Sequence, residues 1–396
     1  MFKRILIIFI ILDATQFFSL SIFSDFVIKI FDVISIILFI TIICYYKFQE
    51  LVLHKNFNKG IFKREILIIL FAVFFSFFGA AIYHNQSLLQ SFISSRFMYF
   101  YLLYFVLIKF DLRTHELEKI VMIFSVTYSI IYFAAALNPT IVSVRIYEDF
   151  FRQTIRVYMP GILLVILSFF NHISRFFEEK KFIDLLLFIL FLTLIIHTGT
   201  RMVIFPSLLI VLIFIGSRLK FYKSILIVTL STILIIIVFY PILKGTFNLL
   251  LSEKNYSEPG GTLSIRLQAI NYFFNLLFPT FITYIIGNGF ASYHNNYGNF
   301  ILFLREKYNL YQSDIGIIGD YTRFGILFVV GILALLIKIC KHSYAKNAKY
   351  IKYFFIFIGI TYITIPHFGN SDGIVAICCG LYLIEKYNDE KNQELF

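Results

Sequence analysis

The sequence predicts an all-α polytopic integral membrane protein, with about twelve transmembrane helices and one long outer loop that contains amphipathic helices. Three observations lead there. The chain is 59% hydrophobic and only 15% charged over 396 residues, with a mean hydropathy of +0.84, well outside the usage of soluble globular domains. Apolar runs of about 17 to 25 residues recur from end to end, each enough for a helix to cross a ~30 Å hydrocarbon core. Lysine and arginine fall in short clusters between those runs, where they act as topology signals. Backbone groups in lipid must be satisfied within their own segment, and the long runs lack a barrel's apolar/polar alternation, so the spans are read as helices.

The expected spans lie near residues 4–23, 26–46, 65–83, 91–108, 119–138, 156–173, 182–197, 201–217, 224–243, 323–340, 350–366 and 371–385. The first opens on MFKRILIIFIIL, the charged start and apolar core of a signal peptide. Asp13 interrupts that pattern and no small-x-small cleavage site follows, so it is kept as a helix. With alternate connections assigned to opposite sides, 23 of the 35 cations fall on the side of the N-terminus. The positive-inside rule then places both termini in the cytoplasm and the chain in the cytoplasmic membrane as a multi-pass protein. The net charge of +12 does not suggest nucleic acid, because the basic residues form no aromatic-studded surface. Cys44, Cys340, Cys378 and Cys379 show no metal-ligand spacing.

The outer side has its own chemistry. Its twelve cations include eight arginines, against five among the 23 inside. Lysine would serve if charge alone were needed, but guanidinium offers a planar fork that grips phosphate or carboxylate at two points. An outward-facing anion site follows from that bias. Residues 1–396 form a single membrane domain, and 244–322 are its long exoplasmic loop, of the length that usually carries function. Within the loop, TLSIRLQAINYFFNLLFPTFITYIIG reads as one or two interfacial amphipathic helices, too punctuated by Pro279 and polar residues to be a span. A second outer segment carries Arg145, Arg152 and Arg156, whose spacings of seven and four would share one helical face.

Individual candidates follow. Arg201 opens the eighth span after HTGT, where free backbone N–H groups and the helix dipole favour an anion, and Thr198 and Thr200 add hydroxyls; the bland reading is a snorkelling arginine capped by His197. Arg96, about a turn inside the fourth span, either faces the bundle cavity or snorkels outward. Asp320 and Arg323 are expected to pair structurally. Asp13, Lys29 and Asp32 suggest a local ion pair, and PHFGNSDG, with His367 and Asp372, closes the last outer turn, where it either lines the site or, the favoured reading, is a helix-breaking turn capped by Ser371.

The order of these pieces resembles the O-antigen polymerase and ligase superfamily. The carriers are Thr198-Gly199-Thr200-Arg201 at a span end, Ser264-Ile265-Arg266 in the loop, the Gly287-Asn288-Gly289-Phe290 turn, and a segment running from Asp314 to Gly325 eleven residues later. Many members have His-Asn followed by glycine at that last spacing, and here aspartate stands in the histidine's place. The resemblance implies that Arg201 and Arg266 hold the pyrophosphate of a polyprenyl-linked oligosaccharide donor; Arg96, Arg152, Arg156, Arg323 and Thr200, polar groups on the outer side, are further substrate-binding candidates from the residues themselves. It also implies that the position of Asp314 serves the acceptor hydroxyl, with His294 as rival. No metal or cofactor is expected, since no D-x-D occurs and fixed arginines can meet the leaving charge. The expected partners are donor and acceptor lipid-linked glycans, the bilayer and a chain-length regulator. A ligase using another lipid acceptor is the close alternative, and a flippase or transporter the distant one; unrelated halves and candidates gathered at the outer boundary weigh against transport.

Overall fold

A computed structural model of the chain describes residues 2–20, 22–53, 60–138, 146–149, 154–157, 159–218 and 262–394. Among these residues the architecture is helical apart from one short hairpin. In chain order the helices are α1 (Phe2–Ala14), the four-residue α2 (Gln16–Ser19), α3 (Asp25–Leu53), α4 (Lys63–His84), α5 (Leu88–Ser94), α6 (Leu102–Phe110) and α7 (Thr114–Leu137). Strands β1 (Ile146–Asp149) and β2 (Thr154–Val157) follow, then α8 (Ile162–Glu179), α9 (Phe182–His197) and α10 (Arg201–Arg218). Next come α11 (Thr262–Leu276), α12 (Phe281–Ile286), α13 (Asn296–Tyr308), α14 (Gly316–Lys341), α15 (Lys349–Thr361) and α16 (Ser371–Glu394).

Among the described residues, four helical segments are long and apolar enough to cross a membrane: Phe26–Glu50, Lys63–His84, Thr114–Leu137 and Gln312–Lys341. A fifth arises if α5 and the segment Arg96–Phe110, bent by 60° at their junction, count as one broken span. Helices α9 and α10 are apolar but shorter. The expected span 224–243 lies outside the described residues. The first span ends early: Gln16, Phe17 and Phe18 all have positive φ, and the Thr15 hydroxyl donates back to the Ile11 carbonyl at 2.9 Å, closing the last turn of α1. The sixth starts late, because Gly161 with φ +110° follows Pro160 and breaks the chain before Ile162. Along α3, Phe26, Ile30, Val33, Ile37, Ile40 and Phe48 are exposed. Such a row is what lipid covers, and the apolar helices are compatible with a multi-pass membrane protein.

Polar contacts gather at two ends of the bundle. At one, here the base, Lys338 pairs with Glu65 at 2.8 Å, Lys109 with Glu50 at 3.1 Å, Lys386 with Asp111 at 2.5 Å, and Arg4 with Glu116. Thr114 and Glu390 join there at 2.8 Å. The opposite end, the mouth, collects the end of α1, the α4–α5 corner, the start of α8, the α9–α10 turn and the start of α16. Between them a continuous apolar core runs through α1, α4, α6, α7, α8 and α14–α16. The segment 262–315 has a smaller core of its own, from Ala269, Phe273, Leu277, Tyr297, Leu304 and Ile315. It is two helices broken near Pro279, as its sequence suggests, plus α13.

This segment is seated on a break in α14. Gly325 takes φ +75° and ψ −177° inside the helix, a conformation open essentially to glycine alone. The break frees the carbonyls of Thr322 and Arg323 from their partners one turn on. The turn after α12 supplies replacements: Asn288 N donates to Thr322 O at 3.2 Å and Gly289 N to Arg323 O at 2.8 Å, while the Asn288 side chain donates to Thr322 O at 3.0 Å. A Cβ on Gly287 would lie 2.3 Å from Arg323 O. The Gly-Asn-Gly-Phe turn and Gly325 are therefore two halves of one backbone joint.

The helix face expected for Arg145, Arg152 and Arg156 is overturned at its described end. Ile146–Asp149 pairs antiparallel with Thr154–Val157, with Tyr147 opposite Arg156. The stretch TIRV is rich in β-branched residues, whose side chains suit a pleated strand better than a helix; the arginine spacing is thus not a helical period. Arg145 and Arg152 lie outside the described residues.

Candidate functional site

Two adjoining cavities open the mouth. The larger, about 390 Å³, lies between Tyr128 of α7, Met159 and Pro160 ahead of α8, Thr198 and Thr200 of the α9–α10 turn, and His367, Asn370 and Asp372 of the α15–α16 connection. The smaller, about 190 Å³, is lined by Gln16, Asp32, Arg96, Phe97 and Phe290, and shares Pro160, Asn370 and Asp372 with the first.

Each wall is fixed by local chemistry. Tyr128 donates to the Met159 carbonyl at 2.7 Å. Asp372, in the first turn of α16, accepts from Gly161 N at 2.8 Å, holding the start of α8 against that of α16. Ser371, expected as a helix cap, instead donates to the Ala14 carbonyl at 2.6 Å and ties α1 to the same point; the end of α1 offers an unpaired carbonyl nearby, a demand invisible in sequence. Thr198 donates to Ile195 O at 2.7 Å.

In the smaller cavity Arg96 Nε meets Asp32 at 2.5 Å. Of the two placements open to Arg96, the cavity is the one realised, and Asp32 pairs with it across two helices rather than with Lys29 nearby in sequence. Asp13 is buried and accepts from Ser35 of α3. Phe290 closes the far wall and lies under Arg323, whose guanidinium carbon is 4.9 Å from the ring centroid. Behind it Arg323 approaches Asp320 at 3.6 Å and donates to Gln312 at 3.3 Å, and Tyr362 donates to Asp320 at 3.0 Å. The expected Asp320–Arg323 pair thus exists, inside a buried network. Gln86 at the α4–α5 corner receives Ser292 N at 2.8 Å and donates to the Phe290 carbonyl at 2.9 Å, which orients the Phe290 turn.

The other sequence candidates divide. Thr200 lines the larger cavity, and Arg201 follows it as the first residue of α10. Arg266 sits on α11 beside Asp314, its electrostatic partner, and its buried Nε donates to no group among the described residues. Arg201 and Arg266 stand on different packing units: α10 packs on α9 and α15, whereas α11 packs on α14 and the Gln312–Ile315 turn. Neither lines the two cavities. Asp314 and His294 are exposed and also lie off both linings. Arg156 is on β2, with only its backbone described.

Tyr128 and Gln86 have no sequence signal of their own, whereas His367 and Asp372 take the less favoured of the two placements their turn allowed and line the cavity. PHFGNSDG was the available signal: two titratable groups in a short turn between apolar runs. His367 is buried and outside the spanning helices, and burial pushes its imidazole down to about 3, leaving the ring neutral. No protein-family model matches the chain, and no curated protein matches its sequence.

Proposed function

We propose that the protein is a metal-independent membrane glycosyltransferase that polymerises polyprenyl-pyrophosphate-linked oligosaccharide repeat units into a surface polysaccharide on the outer face of the cytoplasmic membrane. In this reading the chain crosses about twelve times with both termini cytoplasmic, the lysine-rich base faces the cytoplasm, and 244–322 is exoplasmic. The observation that carries the proposal is the pair of adjoining cavities at the mouth, which share Asp372; the larger has a mainly apolar wall that presents Thr198, Thr200 and His367, and the smaller presents Arg96. Two joined compartments suit a reaction that brings two glycan ends together. The resemblance in Thr198–Arg201, Ser264–Arg266, Gly287–Phe290 and Asp314–Gly325 supplies the substrate class.

The chemistry asks for cations near a leaving pyrophosphate and for a group that takes the attacking hydroxyl's proton. Arg201 at a helix N-terminus is suited to a phosphate, and Arg266 on α11 adds a second guanidinium, beside Asp314. Arg96 and Arg323 flank Phe290, each beside a carboxylate of its own, Asp32 and Asp320; of the two, Arg96 lines the cavity. Deletion of the gene in its native host tests the proposal: single repeat units at the surface are expected. Retained polymer on its lipid carrier would indicate a ligase instead, and precursor trapped inside a flippase.

A further inference from the structure

We propose that His367 takes the proton from the attacking sugar hydroxyl, in the larger cavity that its ring lines beside Thr198, Thr200 and Asp372; this assignment rests on the glycosyl-transfer reading above. The hydrogen bonds fix its tautomer. His367 Nε2 is 2.8 Å from Thr361 Oγ1, and the Thr361 hydroxyl is itself directed at the carbonyls of Phe357 and Ile358, at 2.8 and 3.2 Å. A threonine hydroxyl has one proton. With that proton spent on the helix backbone, Oγ1 meets the ring as an acceptor, so Nε2 carries the imidazole hydrogen and Nδ1 keeps its lone pair. Nδ1 is not among the sealed polar atoms that lack a partner, and it is the nitrogen left to serve the cavity.

This is the arrangement a general base needs: one ring nitrogen held by an orienting acceptor, the other an unprotonated acceptor at the reaction space. Burial keeps the ring neutral before reaction and makes it a weaker base than a free imidazole, so the imidazolium needs counter-charge once substrate is in place. Asp372, held in place by Gly161 N and lining the same cavity, supplies negative charge for the imidazolium that forms, and the departing pyrophosphate adds more. In the step, the acceptor hydroxyl oxygen bonds to the anomeric carbon of the donor. The bond from that carbon to the pyrophosphate oxygen breaks, its electron pair leaving on the pyrophosphate. The hydroxyl proton passes to His367 Nδ1 and is lost to water as product departs.

The test is single-turnover transfer in vesicles holding the full chain, with a polyprenyl-pyrophosphate-linked oligosaccharide as donor and acceptor, alongside retention of radiolabelled donor. His367→Gln keeps an amide N–H for Thr361 but has no basic nitrogen. It should bind donor normally and transfer on the order of a hundred- to ten-thousandfold more slowly. Thr361→Val releases the ring to the other tautomer and should cost rate without donor binding, with recovery in Thr361→Ser. Wild-type transfer by His367→Gln would overturn the assignment. Should His367→Gln fail to insert, Thr361→Val decides: a slowed rate restored by serine supports the base, and a full rate removes it. Wild-type protein that consumes no donor would instead sink the glycosyl-transfer reading and this assignment with it.

Discussion

Replacing Gly325 by alanine places a methyl carbon 2.2 Å from the Ile285 carbonyl oxygen and 2.6 Å from Gly287 N, all backbone atoms that cannot swing aside. The residue's φ of +75° with extended ψ costs a non-glycine side chain about 1–3 kcal/mol by itself. Relief requires the Gly287–Gly289 turn to withdraw. That stretches the hydrogen bonds from Asn288 N and Gly289 N to Thr322 and Arg323, and a buried carbonyl left without a donor costs about 1–3 kcal/mol. With one such carbonyl lost, the joint loss is about 2–6 kcal/mol. Thermal unfolding in detergent measures it, with Gly359→Ala as the control. Gly359 is a helical position with nothing within 4 Å of its added Cβ, where alanine is expected to be neutral or stabilising by up to about 1 kcal/mol. Equal midpoints for the two variants would refute the argument that the turn and the helix break form one joint.

Three further outcomes follow from the same contacts. Asp320→Asn leaves the buried Arg323 without its carboxylate and should destabilise by about 3–5 kcal/mol; a denaturant midpoint within error of wild type contradicts a paired buried charge. Arg201→Lys and Arg266→Lys preserve charge but lose the fork, so polymer length and yield on gels should fall sharply while membrane insertion is retained, and unchanged long-chain polymer in both would remove these two arginines from pyrophosphate binding. Acid stability reports on His367. Its folded value of about 3 lies below the ordinary 6.5, so between those values the unfolded chain binds the extra proton. That share of stability is intact above about pH 6.5 and is lost on acidification toward 3, by up to about 1.4 kcal/mol per pH unit. His367→Gln should show a shallower acid limb, and parallel curves would contradict a ring held neutral by burial.

Much of the helical architecture is written in hydropathy, because runs such as LLLFILFLTLII have few conformations available in lipid. The ends of the helices are less legible. They depend on local backbone events: positive φ at Gln16–Phe18, Gly161 and Gly325. Only the glycines advertise such events. Arg145, Arg152 and Arg156 mislead because spacing among three like residues says nothing about the β-branched residues between them. The site shows the same limit. Thr200 and Arg96 are legible as polar groups out of place in apolar sequence, and both line cavities. Asp32 pairs with Arg96, 64 residues away, and Asp372 with Gly161, 211 away; packing alone decides such partners. His367 looked like turn punctuation because the group that orients it, Thr361, is an unremarkable residue near the end of an apolar helix.

The most direct measurement is product analysis from purified protein in vesicles, supplied with polyprenyl-pyrophosphate-linked repeat units and a divalent-metal chelator. The account predicts a ladder of polymer on the lipid carrier with release of polyprenyl pyrophosphate. Repeat units that stay single, whether left in place or merely moved across the bilayer, would contradict it.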